Sequence, residues 1–168
     1  MTEPGARALF DKFGTYILPG RVDDPRRGIE EAQEAERIGL GAIWISERFA
    51  LKEPAVLAGA VAEATDKIRI NGTFYATMRH PLVTASIANM MQAMSDNRFG
   101  IMFARAVPAY MKMMGAPAIT MERLADYISI YRRLWDGETV SYEGILGKFP
   151  RSSLRTCMKG QSRRSSLP

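Results

Sequence analysis

Cysteine and histidine each occur only once in this 168-residue chain, as Cys157 and His80. A single cysteine rules out an internal disulfide and a multi-cysteine metal site, so we expect no bound metal. No apolar run is long enough to cross a membrane, and the first residues lack the apolar stretch of a secretory leader. These absences predict a cytoplasmic protein without a membrane partner.

Acidic residues are missing from the last part of the chain. The stretch Lys148–Pro168 holds six basic residues and no acid, which leaves 17 basic against 18 acidic residues in the rest. The net charge of +5 therefore belongs to this stretch and not to the remainder. Glu138–Glu143 predicts a short strand or hairpin arm, after which periodicity is lost. We therefore predict a domain over residues 1–147 and a basic, disordered tail over residues 148–168.

A nucleic-acid-binding module that uses this tail is one alternative function. Such a module would show aromatic residues interleaved with the basic ones, or the pattern of a known reader fold. The tail shows neither, so we expect no nucleic-acid partner.

Four short segments rich in β-branched and aromatic residues predict β-strands. They begin about 30 residues apart, which is the length of a repeated βα unit. The four segments are Phe13–Leu18, Ala42–Ser46, Ile68–Phe74 and Arg98–Phe103.

Helix-start signals lie between and after these segments. Asp24 followed by Pro25 predicts the start of one helix, Pro54 and Pro81 open two more, and Thr120 caps a fourth. Strands that alternate with helices predict an α/β fold with a parallel sheet and right-handed crossovers. We count about four βα units.

Four stretches together carry a family resemblance. Each is only moderately specific, but all four occur in the family's order and spacing. They are AERIGLGAIWISER (35–48), AEATDKIRINGT (62–73), HPLVTASIANMMQAMSDNRFGIMFARAVPAYMKMMG (80–115) and RLADYISIYRRLWDGETVSYEG (123–144). The chain resembles the luciferase-like monooxygenase family, which includes bacterial luciferase and oxidoreductases that use the deazaflavin coenzyme F-420.

The resemblance implies a partial TIM (β/α)8 barrel, because family members have about twice as many βα units as we count here. It also implies an oxidoreductase that acts on a small-molecule substrate. The implied cofactor is FMN or deazaflavin coenzyme F-420, used for monooxygenation or for hydride transfer.

The resemblance places the site at the carboxyl ends of the strands, as in other barrels. After the second strand the family has a glutamate and a histidine, and this chain has Glu47 and Arg48. We predict both as catalytic residues. Arginine stays protonated and cannot shuttle a proton, but it can hold an anionic substrate or the anionic edge of a reduced ring. The alternative is a surface ion pair.

The cofactor-binding residues implied by the resemblance follow the third and fourth strands. We predict Gly72, Thr73 and Phe74 behind the cofactor ring, with a bulge and a cis peptide bond between Gly72 and Thr73. The alternative is a plain strand end with a glycine turn. Arg105 would contact a phosphate or a polyglutamate tail, or else be a solvated side chain.

The predicted substrate-binding residues are Tyr16, Met78 and His80. His80 precedes Pro81 as in the family, although a residue before a proline-started helix often only caps it.

Two further expectations concern the whole chain. Half a barrel leaves strand edges and an apolar inner face uncovered, so we expect a homo-oligomer or an aggregation-prone chain. The abrupt change in composition predicts a reading-frame shift near Arg151, and with it a truncated product. The alternative function is therefore a non-catalytic or inactive fragment of the same fold.

Overall fold

The computed structural model of this chain describes residues 10–20, 23–48 and 51–154. Six strands and five helices cover most of this part of the chain. The strands are β1 (Gly14–Tyr16), β2 (Ala42–Ser46), β3 (Arg69–Tyr75), β4 (Phe99–Ala104), β5 (Thr139–Gly144) and β6 (Gly147–Ser153). The helices are α1 (Arg27–Arg37), α2 (Pro54–Ala64), α3 (Pro81–Met94), α4 (Pro108–Met113) and α5 (Met121–Trp135).

The chain divides into two compact units. The first unit takes the described residues up to Phe74 together with residues 90–104, and the second takes residues 75–89 and the described residues from Arg105 onward. Across the described ranges, every helix is too short or too polar to span a membrane.

The first unit is built on a four-stranded sheet in the order β1-β2-β3-β4. β1 pairs with β2, and β2 with β3, in parallel register. The four predicted strands are confirmed, with shifts of their ends. The structure is therefore an α/β fold with a parallel sheet whose strands follow one another in sequence order.

One face of this sheet is the core of the first unit. Ile43, Ile45 and Ile70 are fully buried, and Phe74 is almost so. α1 and α2 contact each other and β2. Burial alternates residue by residue along β3, and along β2 from Ile43 onward, so one set of side chains is buried and the other set lies on the opposite face.

The amino end of β3 is held by a carboxylate. Glu36 on α1 accepts hydrogen bonds from the backbone N–H groups of Asp66 (3.1 Å), Lys67 (2.6 Å) and Ile68 (2.8 Å). Burial pushes the pKa of Glu36 up, but the three N–H donors and the charge of Arg98 outweigh it and hold this pKa below its usual value. In a barrel this end of the strands serves stability rather than chemistry.

The second unit contains α5, whose start matches the sequence prediction. The Thr120 hydroxyl accepts from the backbone N–H of Arg123 (3.2 Å), so the predicted cap is confirmed. Gly137 follows the helix with a φ of +87°, a conformation that ends helices. The hydroxyls of Tyr127 on α5 and Thr84 on α3 share a buried hydrogen bond of 2.6 Å.

The predicted start of the disordered tail is wrong. Residues 148–153 lie in β6, which pairs antiparallel with β5 and encloses the two-residue loop between Gly144 and Gly147. A bulge interrupts the pairing, where the N–H of Arg151 donates to the Ser141 hydroxyl at 3.2 Å. The bulge accommodates Pro150, which cannot donate to a regular ladder. The rest of the predicted tail, from residue 155, lies outside the described residues.

Candidate functional site

The carboxyl ends of β1, β2 and β3 lie at one edge of the first unit, because these strands run parallel. Three of the predicted site residues, Tyr16, Glu47 and Thr73, therefore meet at this edge. We call it the carboxyl edge.

Glu47 is the residue that follows β2, and only 5% of its surface is exposed. Its backbone N–H donates to the carbonyl oxygen of Thr73 at 2.9 Å. This bond extends the β2–β3 ladder by one residue and fixes where the Glu47 side chain starts. A glutamate with so little exposed surface is uncommon in proteins unless it has a structural or functional role.

Arg48, the second predicted catalytic residue, is exposed. Its backbone forms an antiparallel bridge with Lys52: the N–H of Arg48 donates to the Lys52 carbonyl at 3.2 Å, and the N–H of Lys52 donates back at 2.9 Å. The chain therefore closes a short loop directly after Glu47, and Arg48 begins it.

Residues 72–74 alternate between the two faces of the sheet. Gly72 and Phe74 are buried on the core face, where a Cβ on Gly72 would meet the rings of Phe74 (2.8 Å) and Phe99 (3.1 Å). The glycine is therefore needed for core packing. Thr73 lies level with Ser46 on the opposite face. Of the three residues predicted to bind the cofactor at this strand end, Thr73 therefore lies on one face of the sheet, whereas Gly72 and Phe74 lie on the other.

The cis peptide predicted between Gly72 and Thr73 is wrong. All described peptide bonds are trans. The β2–β3 register also runs without a shift from Ala42 to Ser46, so no bulge interrupts this pairing. A regular ladder leaves no room for an extra residue at this point.

Two further side chains on the face of Thr73, those of Trp44 and Met102, were not predicted as site residues from the sequence. The indole N–H of Trp44 donates to the Met102 sulfur at 3.1 Å, and the Thr73 hydroxyl lies 4.0 Å from the same sulfur. Tyr16 belongs to this face as well, with its ring centroid 6.4 Å from that of Trp44. We call these four side chains the Trp44 face. The signal that could have revealed it is the alternation along β2, which puts Trp44 opposite the isoleucines.

The Trp44 face is open to a ligand in this unit. Tyr16 is 52% exposed and Met102 is 44% exposed. The surface is mostly apolar, with a hydroxyl and a thioether among aromatic rings. Aromatic rings and a polarizable sulfur suit a planar ring system.

The remaining predicted residues, Met78, His80 and Arg105, belong to the second unit. Met78 is partly buried, and Arg105 is exposed immediately after β4. His80 caps α3, because its Nδ1 accepts from the backbone N–H of Leu82 at 3.1 Å. Its ring also meets the edge of Phe149 in β6, with centroids 4.4 Å apart. Burial lowers the pKa of His80, so the neutral ring is favoured and Nε2 carries its proton.

Comparison with known proteins points to one family. Residues 7–158 match the family model described as luciferase-like monooxygenase. The match runs past Arg151, so family-like sequence does not stop where the change in composition predicted.

The oxygenase component of a flavin-dependent trigonelline monooxygenase from Acinetobacter baylyi is 28% identical over 159 residues, which cover 84% of this chain and 44% of that protein. This chain thus spans about half the length of the relatives it matches.

Solved structures share the fold. A monooxygenase from Streptomyces bottropensis superposes with a TM-score of 0.74 at 22% identity, covering 93% of this chain and 51% of that one. The coenzyme F-420-dependent tetrahydromethanopterin reductase of Methanopyrus kandleri gives 0.72 at 23% identity, covering 86% and 46%. The FMN complex of the oxygenating constituent of 3,6-diketocamphane monooxygenase from Pseudomonas putida gives 0.71 at 21% identity, covering 83% and 43%.

Proposed function

The chain belongs to the luciferase-like monooxygenase family, and from that premise we propose that it is an oxidoreductase that uses reduced FMN or the deazaflavin coenzyme F-420. The reaction is monooxygenation or hydride transfer on a small organic substrate. The observation that carries the proposal is the buried carboxylate of Glu47 at the carboxyl edge, tied through its backbone to Thr73.

The residues at this edge fit such a cofactor. The Trp44 face offers an apolar surface for a planar ring, and the Thr73 hydroxyl offers a hydrogen-bonding group to its polar edge. Arg105, which belongs to the second unit, remains a predicted phosphate-binding residue. When bound, the cofactor supplies the electrons of the reaction, and the protein supplies position and electrostatics.

The predicted residues that do not pack in the core then have roles that their chemistry allows. Glu47 holds or accepts a proton near the reacting atoms, because a carboxylate can change its protonation state. Arg48 remains cationic and binds an anionic group. Tyr16 contacts the bound ligand on the Trp44 face. Met78 and His80, which belong to the second unit, remain predicted substrate-binding residues, with Nε2 of the neutral imidazole as a hydrogen-bond donor.

The cofactor experiment uses the two tryptophans of the chain, Trp44 and Trp135. Trp44 lies on the proposed cofactor face, whereas Trp135 lies on α5 and stacks with Tyr131. FMN and coenzyme F-420 are titrated separately into the single-tryptophan variants Trp135→Phe and Trp44→Phe. We expect one cofactor to quench Trp44 emission and to leave Trp135 emission unchanged, because Trp44 lies on the proposed cofactor face.

The outcome decides between the two cofactors and tests the site. Quenching of Trp44 alone by one cofactor supports the proposal and names that cofactor. Quenching of Trp135 alone, or of neither tryptophan at millimolar cofactor, would contradict it.

A second candidate function is a non-catalytic cofactor-binding member of the same family. The observation that favours it is Arg48, which stands where the resemblance leads us to expect a histidine and which cannot shuttle protons. Cofactor binding with no substrate-dependent reoxidation of the reduced cofactor would favour this second candidate. Reoxidation that depends on both substrate and Glu47 would exclude it.

A further inference from the structure

The backbone at the end of β1 has an unusual conformation. Two charged side chains bond to it, one to an N–H group and one to a carbonyl oxygen. Leu18 has a φ of +49°, a left-handed conformation that is unfavourable for a branched side chain. Its backbone N–H donates to the Glu31 carboxylate on α1 at 2.7 Å. Its carbonyl oxygen accepts from the ammonium group of Lys52 at 2.7 Å, and the carbonyl of Ile17 accepts from the same group at 3.3 Å.

Lys52 also belongs to the loop that follows β2. Its backbone bridges to Arg48, so the loop that begins with Glu47 and Arg48 closes on the lysine. Lys52 therefore connects two segments. Its backbone bonds to the segment after β2, and its side chain bonds to the end of β1. Tyr16 lies two residues before the held turn.

The surroundings of Lys52 disfavour the charged form of its side chain. Burial lowers the pKa of Lys52, the nearby charge of Arg48 lowers it further, and Glu31 only partly offsets them. A lysine with a lowered pKa contributes less to stability while charged than an exposed lysine would. Buried charges that cost stability are retained in some proteins because they specify one arrangement.

From this geometry we propose that Lys52 is a positioning residue of the carboxyl edge. Its ammonium group holds the left-handed turn at Leu18 against the loop after β2, and so keeps Tyr16, Glu47 and Arg48 in one arrangement. The importance of this arrangement for catalysis rests on the proposed function. The role of Lys52 in stabilising the end of β1 does not.

Amide hydrogen exchange, measured by NMR, tests the hold directly. Leu18 and Ile70 are compared in the wild type and in Lys52→Met, which keeps the aliphatic stem and removes the charge and the donors. Ile70 reports on the centre of the sheet, where its N–H donates to the Arg98 carbonyl at 3.0 Å. We expect exchange at Leu18 to rise about tenfold, with Ile70 unchanged, because only local opening is made easier.

Two further variants complete the experiment. Lys67→Met removes an exposed lysine from the same unit and should leave Leu18 unchanged. Lys52→Arg keeps a charged donor and should stay within about threefold of the wild type. If the exchange rate rose equally at Leu18 and Ile70, or if Lys52→Met failed to fold, Lys52 would have a general stabilising role. If the exchange rate rose at neither residue, Lys52 would have no such role. Each of these results would overturn the proposal.

Cofactor affinity separates this inference from the proposed function. If the wild type binds FMN or coenzyme F-420, Lys52→Met should weaken that binding about fivefold or more, through the misplaced edge. If the wild type binds neither, the proposed function fails, and the exchange rates at Leu18 still decide the role of Lys52.

Discussion

The backbone N–H of Glu47 lies 2.9 Å from the carbonyl oxygen of Thr73, which joins the first residue after β2 to β3. Glu47 is buried, whereas its neighbour Arg48 is exposed. The extension of the β2–β3 ladder thus places two adjacent charged residues in different environments, one buried and one exposed. The proposed function assigns the proton transfer to the buried carboxylate and the binding of an anion to the exposed guanidinium, which is a division of roles suited to acid–base chemistry.

Replacement of Glu47 by glutamine tests this division. Glu47→Gln keeps the shape and removes the charge, so we expect the melting temperature to change by no more than about 2 °C and cofactor-dependent turnover to fall about 100-fold. The measurements are thermal unfolding and substrate-dependent reoxidation of the reduced cofactor. Glu63→Gln, at an exposed glutamate on α2, is the control. A large fall in melting temperature with unchanged turnover would make Glu47 a structural residue.

Glu36 should stabilise the fold in a pH-dependent way. Its pKa is lower in the folded chain than in the unfolded chain. Its contribution is therefore present above the unfolded pKa, which lies near 4.5, and is lost as the pH falls through the folded value. We expect Glu36→Gln to lower the free energy of unfolding at pH 7 by about 1–3 kcal/mol, since three N–H donors lose a charged acceptor.

Urea unfolding between pH 7 and pH 3 measures this dependence. The difference between the wild type and Glu36→Gln should shrink as the pH falls. Glu34→Gln on the same helix is the control, because Glu34 only pairs with Arg37 at the exposed surface. A difference that stayed constant with pH would show that the carboxylate charge at Glu36 contributes nothing.

The buried pair of Thr84 and Tyr127 should couple α3 to α5 in the second unit. Tyr127→Phe and Thr84→Val should each cost about 1–2 kcal/mol, because each leaves a buried hydroxyl without this partner. The double variant should cost less than the sum of the two. Chemical unfolding of the four proteins measures the coupling, with the exposed Tyr110→Phe as a control. Strictly additive losses would mean that the 2.6 Å contact carries no energy.

We also propose that the chain associates with itself. In the described sheet β1 and β4 are the edges, and strand edges with unpaired backbone groups promote association. Light scattering across a concentration series up to tens of micromolar should show a mass that rises above that of one chain. A constant monomer mass over the whole series would refute this expectation.

Several features of the fold were predictable from local signals. Pro54 and Pro81 mark helix starts, and Gly39 ends α1 with a φ of +92°, because these residues restrict or permit backbone angles by themselves. The β2 segment was predicted with its observed bounds, since a short run of β-branched and aromatic residues favours a strand regardless of its neighbours.

Other features depended on contacts that no local signal reveals. β6 contains proline, serine and arginine and has little strand propensity, yet it pairs with β5 because the tight turn before Gly147 (φ +114°) brings it there. Helix α4 was not predicted either, since six residues carry too little periodicity.

The sequence by itself determined the family, the order of the first four strands and of the helices between them, and the placement of Glu47 and Arg48 directly after β2. These follow from motifs, periodicity and chain order, which are properties of neighbouring residues. Only the tertiary structure decided that Gly72 and Phe74 pack in the core while Thr73 joins Trp44 and Met102, and that Lys52 reaches the end of β1. The physical reason is that strand register and side-chain reach connect residues that are distant in the chain, and a one-residue change of register reverses which face each side chain occupies.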